Sequence, residues 1–265
     1  MVRLCTLSSG SSGNAVLFEA DGTKILIDCG ITGKAASDRL SSIGVDPAEL
    51  SALVVTHEHI DHIRGVGVLS RRFGLPVYAS VGTWNGMIST IGDIPHEHIH
   101  YIAADVPFSV DNAIIFPFAT SHDTSESLGF TLSDGQKSAS VATDLGIVDK
   151  YVYDRIRSSE LLVLEANHDE QMLMNGPYPY NLKQRILSDR GHISNRVCGA
   201  LCARLLSENG VGKQILLGHL SNENNTPRTA FDTVKRSVEH IGGQVGADIR
   251  IDVADRYEPS PVLEA

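Results

Sequence analysis

The feature that most constrains this chain is a run of metal-ligand side chains directly after an apolar segment. Residues 52–55, Ala-Leu-Val-Val, predict a buried strand, and a helical pattern begins near Ile63. Between them lie His57, His59, Asp61 and His62. Imidazole and carboxylate ligands, rather than a closed set of Cys and His, are typical of open catalytic metal sites. This regular spacing on a strand-to-helix loop favours a metal centre over ordinary solvated histidines.

Length and composition are those of an ordinary globular protein. The chain has 265 residues, enough to bury a large core. Its net charge of −10 argues against a broad nucleic-acid-binding surface, although metal ions and a local basic patch can outweigh that balance. Four scattered cysteines predict neither a zinc knuckle nor a disulfide framework. Because no membrane span or signal peptide is evident, we expect a cytoplasmic protein with no membrane partner. The oligomeric state stays open.

Strand and helix patterns alternate along the whole chain. Three apolar runs near the start, joined by the loop 8–14 and by the turn at Asp21-Gly22, predict an antiparallel meander. A second group of strands is predicted between residues 99 and 142. This pattern favours an α/β fold in which two sheets pack face to face with helices on both outer sides. We expect one domain over residues 1–265, with a tail that frays after Tyr257.

Other polar residues stand where further apolar runs end. They are Asp28, His122, Asp144, Glu165 and His219. Loops at strand ends carry side chains to the rim of a sheet, so we expect these five to join the His/Asp motif in one centre. A second His-rich segment, 96–100, lacks the Asp-His completion. We expect that segment at a surface or strand edge rather than around a metal.

These residues resemble the metallo-β-lactamase fold, which implies a four-layer αββα sandwich of two mixed β-sheets flanked by helices. The resemblance also implies two divalent metal ions. One ion would take three histidines and the other a mixed set: His57, His59 and His122 for the first, and Asp61, His62 and His219 for the second. Asp144 would bridge the two ions, and Asp28 would orient ligands through hydrogen bonds. Mixed His/Asp ligation suits zinc first, and manganese or iron would also be accepted.

A narrower resemblance is to the YycJ/WalJ branch of this fold, which implies exonuclease activity on DNA. It is carried by four short stretches: 9–15, 165–169, 191–195 and 218–225. The Glu-Ala strand end followed by a histidine at a helix start is also similar to ribonuclease Z. That similarity implies that Glu165 and His192 work beside the metals.

If the substrate is a phosphodiester, its hydrolysis assigns a catalytic or binding role to several of these residues. Two metal ions about 3.5–4 Å apart can generate a hydroxide and hold the phosphate during attack and departure. Asp61, as a ligand, and His192, as proton donor to the leaving oxygen with Glu165 orienting it, are the candidate catalytic residues. Candidate substrate contacts are Ser12, Asn14 and His168. A flexible connection for the loop 8–14 and a helix-start role for His168 stay open.

Three functions compete at this point. The first is a two-metal phosphodiesterase or nuclease, with DNA favoured over RNA. The second is a small-molecule hydrolase acting on a lactone, thioester or β-lactam, and the third is a non-catalytic binding or regulatory module. Glu165, His168 and His192 favour the first, because an alkoxide leaving group benefits from an acid. Four basic residues near His192 could bind a nucleic-acid backbone: Lys183, Arg185, Arg190 and Arg196.

Overall fold

The first of two seven-stranded sheets begins with the predicted antiparallel meander and continues with parallel strands. The computed structural model describes residues 1–265. The strands of the meander are β1 (Val2–Ser8), β2 (Ala15–Ala20) and β3 (Thr23–Ile27). The parallel strands that follow are β4 (Ala52–Val54), β5 (Val77–Ala79) and β6 (Ile99–Tyr101). Parallel neighbours require crossover connections, and helices supply them.

The second sheet repeats this arrangement, with antiparallel strands first and parallel strands afterwards. The antiparallel strands are β7 (Phe108–Val110), β8 (Ala113–Ala119), β9 (Leu128–Ser133) and β10 (Ser138–Ala142). Parallel to β10 run β11 (Leu161–Glu165), β12 (Lys213–Gly218) and β13 (Ile249–Val253). The short strand β7 is absent from the sequence prediction.

The end of the chain is ordered in the first sheet. A final strand, β14 (Leu263–Glu264), pairs antiparallel with β1, and the side chain of Leu263 is fully buried. The predicted fraying after Tyr257 is therefore wrong. Two residues of strand are too short for a periodicity signal, and only pairing with β1 makes them a strand.

Nine α-helices connect the strands. They are α1 (Gly33–Ser42), α2 (Ile60–Ile63), α3 (Val66–Phe73), α4 (Val81–Ile91), α5 (Lys150–Ile156), α6 (Glu170–Asn175), α7 (Tyr180–Ile186), α8 (Asn195–Asn209) and α9 (Pro227–His240). The single helix predicted after the His/Asp motif is divided into α2 and α3. The break lies at Gly65, whose N–H donates to the carbonyl of Cys29. None of the helices combines the length and apolar character needed to cross a membrane.

Three hydrophobic clusters define four layers. The central cluster lies between the sheets and joins Phe18 and Ile25 of the first to Phe130 and Val163 of the second. A second cluster packs α1, α3 and α4 on the outer face of the first sheet. The third packs α5, α8 and α9 on the outer face of the second sheet. Each fully buried Leu, Ile or Phe contributes roughly 1.5–3 kcal/mol of transfer free energy. The predicted sandwich of two mixed sheets flanked by helices is confirmed.

The parallel halves of the sheets explain how distant residues meet. Ile27 pairs with Val54 in the first sheet, and Leu164 pairs with Leu217 in the second. Paired parallel strands end side by side, so the residues that follow them share one edge. Asp28, the His/Asp motif, Asp144, Glu165 and His219 all follow or end such strands.

Candidate metal centre

Three histidine rings converge at this edge. Nε2 of His57 lies 3.2 Å from Nδ1 of His59. The ring of His122, which follows β8, is centred 5.0 Å from His57 and 5.1 Å from His59. His57 is fully buried and His122 nearly so, whereas His59 is half-buried. These three residues have nitrogen atoms close enough together to hold one metal ion.

A second group lies beside the first. Oδ2 of Asp61 is 3.6 Å from Nε2 of His62 and also 3.6 Å from Nε2 of His219. Asp61 and His62 reach this position because α2 begins at Ile60, earlier than the sequence predicts. The three side chains form a second set of atoms that could hold an ion.

The carboxylate of Asp144 lies between the two groups. Its Oδ2 is 3.4 Å from Nε2 of His62. Its Oδ1 is 3.6 Å from Nε2 of His122 and 3.5 Å from Nε2 of His219. One carboxylate therefore faces a histidine of the first group and two histidines of the second.

Unpartnered buried atoms show that this donor set fits metal ions. Nε2 of His122, Nε2 of His219 and Oδ2 of Asp144 are buried and have no hydrogen-bond partner in the chain. Buried polar atoms almost always have a partner, so each of these needs an explanation. Two atoms that each lie about 2.0–2.1 Å from one tetrahedral zinc ion are about 3.4 Å apart. The separations around Asp144 are close to that value.

In His62 and His122, the Nδ1 atom of the ring is held by a neighbour. Nδ1 of His62 lies 2.7 Å from Oδ2 of Asp28, and Nδ1 of His122 lies 3.2 Å from the carbonyl of Gly191. Asp28 is itself fixed, because the backbone N–H and hydroxyl of Thr56 donate to its two oxygens, both at 2.8 Å. Such outer contacts set the ring orientation and direct Nε2 towards the other proposed ligands.

Burial and charge shift the pKa values of these groups in opposite directions. Burial lowers the pKa of His57 well below its usual value, and the neighbouring imidazoles lower it further. Burial also opposes the charge on His62, but the carboxylates of Asp144, Asp28 and Asp61 outweigh it and raise its pKa to about 9. The pKa of His219 is also raised well above its usual value, because the carboxylates of Asp144, Asp61 and Glu165 outweigh the effect of burial. Without metal, the buried carboxylates are thus balanced by protonated histidines.

Three of these residues have an unusual backbone. Asp28, Asp144 and His219 have φ angles of 60°, 57° and 54°, in the left-handed region that few non-glycine residues adopt. Asp28 and His219 directly follow β3 and β12, and Asp144 lies two residues after the end of β10. Such conformations are unfavourable and are often retained at functional sites because they direct a side chain inwards.

Glycine is required where two loops of the site meet. A Cβ atom at Gly30 would lie 1.6 Å from the carbonyl oxygen of Asp61. The same loop is joined by backbone hydrogen bonds from Gly30 to Asn14 and from Asn14 to Asp61. Gly30 therefore permits the close approach that holds Asp61 against the end of β3.

A buried carboxylate joins the second group to another histidine. Oε1 of Glu165 lies 2.7 Å from Nδ1 of His192 and 2.9 Å from Nδ1 of His219. Its Oε2 accepts a hydrogen bond from the N–H of Leu145 at 2.8 Å. Burial alone would raise the pKa of Glu165, but His192 and His219 outweigh burial and hold it far below its usual range.

A cavity of about 240 Å³ opens beside these groups. His192 lines it, together with His59, Asp61, His122, Asp144 and His219. Eight further lining residues were not among the candidate site residues from the sequence: Ser11, Asp123, Asn167, Tyr178, Leu182, Ile186, Gly191 and Ser221. Asp123 directly follows His122, which is the one local signal that could have indicated it. Arg185 also lines the cavity, whereas Lys183, Arg190 and Arg196 do not.

The candidate substrate contacts lie elsewhere than expected. Asn14 is buried, with its Oδ1 accepting from the N–H of Gly10 at 2.8 Å and its Nδ2 lying 3.1 Å from Nε2 of His62. His168 is 1% exposed, and neither ring nitrogen has a partner in the chain. Burial lowers its pKa, which keeps the ring neutral. Ser12 is exposed but does not line the cavity. Asn14 and His168 do not line this cavity either, and direct substrate contact by these residues stays a prediction.

The second His-rich segment behaves as predicted. His96 is exposed, and His100 lies in β6, the edge strand of the first sheet, where it stacks on Tyr78 with ring centroids 4.5 Å apart. Neither residue belongs to a cluster that could hold a metal.

Comparison with known proteins shows the family to which this chain belongs. Residues 23–219 match the model of the beta-lactamase superfamily domain, and the chain belongs to this family of metallo-β-lactamase-fold proteins. This chain is a metal-dependent hydrolase, a class supported by the family, by the His/Asp clusters and by the exonuclease names of its relatives. It is 34% identical over 261 residues to exodeoxyribonuclease YycJ of Bacillus anthracis, covering 98% of each chain. It is 35% identical over 257 residues to exodeoxyribonuclease WalJ of Streptococcus pneumoniae, covering 96% of this chain and 93% of that one.

A solved structure has the same fold. The metallo-β-lactamase fold protein YhfI of Bacillus subtilis superimposes with a TM-score of 0.69 at 16% identity, covering 98% of this chain and 99% of that one. The predicted resemblance to the YycJ/WalJ branch is confirmed by the two relatives.

Proposed function

We propose that this chain is a two-metal phosphodiesterase that cleaves nucleic acid, with DNA as its substrate. The observation that carries the proposal is the contact of Glu165 with both His192 and His219. It couples a candidate proton donor to a candidate metal ligand, an arrangement suited to an alkoxide leaving group. The names of the two relatives, both exodeoxyribonucleases, support DNA and cleavage from an end.

The proposed ligands are those with facing donor atoms at the sheet edge. One ion would be held by His57, His59 and His122, the other by Asp61, His62 and His219, with Asp144 between them. Zinc is the first choice for this donor set, and manganese or iron would also be accepted. When bound, the ions would supply Lewis acidity, which activates water and neutralises phosphate charge.

The chain's own residues supply the proton transfer. With Nδ1 of His192 donating to Glu165, its Nε2 is the atom that would give a proton to the leaving oxygen. The low pKa of Glu165 keeps its carboxylate ionised at neutral pH, so it would accept from Nδ1 of His192 and orient that ring. Asp28 would orient His62 through the 2.7 Å contact between them.

The remaining candidates take supporting roles. Asn14 would hold His62 and the start of the Asp61 loop, and His168 would stay neutral behind the cavity. Ser12 remains a proposed substrate contact, on a loop whose neighbouring residue Ser11 lines the cavity. We also propose one domain over residues 1–265, because both sheets bury the same central cluster. A cytoplasmic location remains a prediction.

A nuclease assay tests the proposal. The protein, loaded with zinc or with manganese, is incubated with 5′-labelled single- and double-stranded DNA and RNA. We expect DNA to be degraded from an end, with loss of activity in a chelator. Degradation of none of these substrates, together with hydrolysis of a lactone or thioester, would instead support the small-molecule hydrolase. No hydrolysis of any kind by metal-replete protein would support the non-catalytic module.

A further inference from the structure

One wall of the cavity carries no candidate metal ligand. It is formed by α7 and the residues just before it, which contribute Tyr178, Leu182, Arg185 and Ile186. Tyr178, Leu182 and Ile186 are the apolar residues of a lining that is otherwise polar, charged or glycine. A wall that combines an aromatic ring, an aliphatic side chain and an arginine has the surfaces that a nucleotide needs.

Arg185 is held at the mouth of the cavity by one contact and keeps its other donors free. Its Nε donates to Oδ2 of Asp123, and no other hydrogen bond of this guanidinium occurs within the chain. Its side chain is 56% exposed. Because a guanidinium has five N–H donors, its two terminal nitrogens remain available for the oxygens of a phosphate.

The other basic residues near His192 are occupied or lie outside the cavity. Lys183 donates to the carbonyls of Met174 and Gly176, both at 2.8 Å. The guanidinium of Arg190 donates to the carbonyl of His122, whereas Arg196 contacts Glu170 through Nε but does not line the cavity. Among these four residues, Arg185 alone lines the cavity. In a chain of net charge −10, it is the arginine placed to attract a phosphate there.

Hydrogen bonds fix this wall to the loops that carry His192 and His122. The N–H of His192 donates to the carbonyl of Ile186 at 2.9 Å, and Arg190 links the loop after α7 to His122 at 3.0 and 3.1 Å. A Cβ at Gly191 would lie 2.2 Å from the carbonyl oxygen of Ile186. A preformed surface binds more tightly because little ordering is needed on binding.

We propose that this wall is the subsite for a nucleotide next to the cleaved phosphodiester. Arg185 contacts a phosphate of the substrate, Tyr178 stacks against the base, and Leu182 packs beside them. Asp123 is a positioning residue that orients Arg185. The inference rests on the proposed nuclease function and adds the residues that hold the substrate. Because every base has a π-face, the subsite accepts all four bases.

Substrates that lack a base test the stacking contact. Wild-type protein, Tyr178→Ala and Tyr178→Phe are compared on a DNA oligonucleotide and on the same oligonucleotide with abasic residues at both ends. On normal DNA, Tyr178→Ala should lower kcat/KM about 5- to 150-fold, the loss of one base–aromatic stack, whereas Tyr178→Phe should stay near wild type. On abasic DNA, wild type and Tyr178→Ala should have the same kcat/KM.

Arg185 is tested through its dependence on salt. Arg185→Gln should reduce the slope of log kcat/KM against log salt concentration by about 0.7–0.9, the value for one phosphate contact. Tyr180→Ala is the matched control, because Tyr180 is 75% exposed and does not line the cavity. Tyr180→Ala should leave kcat/KM on both substrates, and the salt slope, unchanged. Metal content and the thermal midpoint of each variant establish that the site and the fold are retained.

The outcomes separate this inference from the function on which it rests. If wild-type protein degrades neither DNA nor RNA, the proposed function fails, and this inference fails with it. If wild-type protein degrades DNA and Tyr178→Ala does so with unchanged kcat/KM, the subsite alone is wrong. A loss in Tyr178→Ala that is equally large on abasic DNA would also overturn it, because that loss would not come from the base.

Discussion

Glu165 and His192 are joined by a 2.7 Å contact between Oε1 and Nδ1, and the same oxygen lies 2.9 Å from Nδ1 of His219. A single buried carboxylate oxygen therefore orients both the candidate acid and a candidate metal ligand. Each imidazole donates from Nδ1 and keeps Nε2 free. In the proposed mechanism this one atom would couple metal binding to proton transfer, so substitutions of His192, Glu165 and the metal ligands should have different effects.

His192→Ala should abolish most of the activity and leave metal binding intact. General acid catalysis contributes typically about 10²–10⁴-fold, so kcat on DNA should fall by that factor. Metal content, measured on the purified protein by mass spectrometry, should equal that of wild type. His96→Ala is the control, because His96 is exposed and outside the site. Full turnover by His192→Ala would show that the acid is another group.

Glu165→Gln should impair metal binding as well as activity. The amide carries no negative charge, and its nitrogen cannot accept from the N–H of Leu145 as Oε2 does. The contacts of its oxygen with His192 and His219 are therefore weakened, and both rings lose part of their orientation. Loss of such a partner typically costs about 10- to 100-fold in metal affinity. The affinity is measured by competition with a fluorescent chelator. A variant that keeps wild-type metal affinity and loses only activity would separate Glu165 from the metal centre.

Asp61→Ala should lose metal directly. Its Oδ2 is 3.6 Å from Nε2 of both His62 and His219, so its removal takes one ligand from the second ion. We expect about one metal ion per chain instead of two, with phosphodiesterase activity lost. Elemental analysis after dialysis measures the stoichiometry. Two retained ions would contradict the assigned ligand set.

Metal binding should release protons at neutral pH. The pKa of His62 is raised to about 9 in the metal-free protein, so at pH 7 its ring is protonated and a metal ion must displace that proton. The apparent affinity should therefore rise with pH and level off above about pH 9. Calorimetric titrations in buffers of different ionisation enthalpy count the protons released. Zero net release at pH 7 would contradict the raised pKa.

Asp28→Asn provides the matched test of that pKa. It removes one of the carboxylates that raise the pKa of His62, so the affinity should level off at a lower pH than in wild type. An unchanged pH profile would mean that Asp28 contributes orientation and not charge.

The sequence by itself determined the elements and the residue types of the centre. Apolar runs mark β3, β4, β11 and β12 because buried strands must be apolar, and the polar residue after each run stands out against them. Parallel strands end at one edge, so Asp28, His57 and His219 could be assigned to one centre without coordinates. The helices were predicted from periodicity, with boundary errors such as the missed break between α2 and α3 at Gly65.

Only the tertiary structure decided which side chains face the cavity. Asn14 and His168 are buried, whereas Tyr178 and Arg185 face the cavity, because α7 is fixed by contacts with the loops of His122 and His192. The sharing of one Glu165 oxygen by two histidines and the positive φ of Asp144 likewise depend on strands that pair across long stretches of sequence. Local sequence patterns show which side of a strand or helix is apolar. They do not show which distant element packs against that side, and this packing determines the contacts of the site.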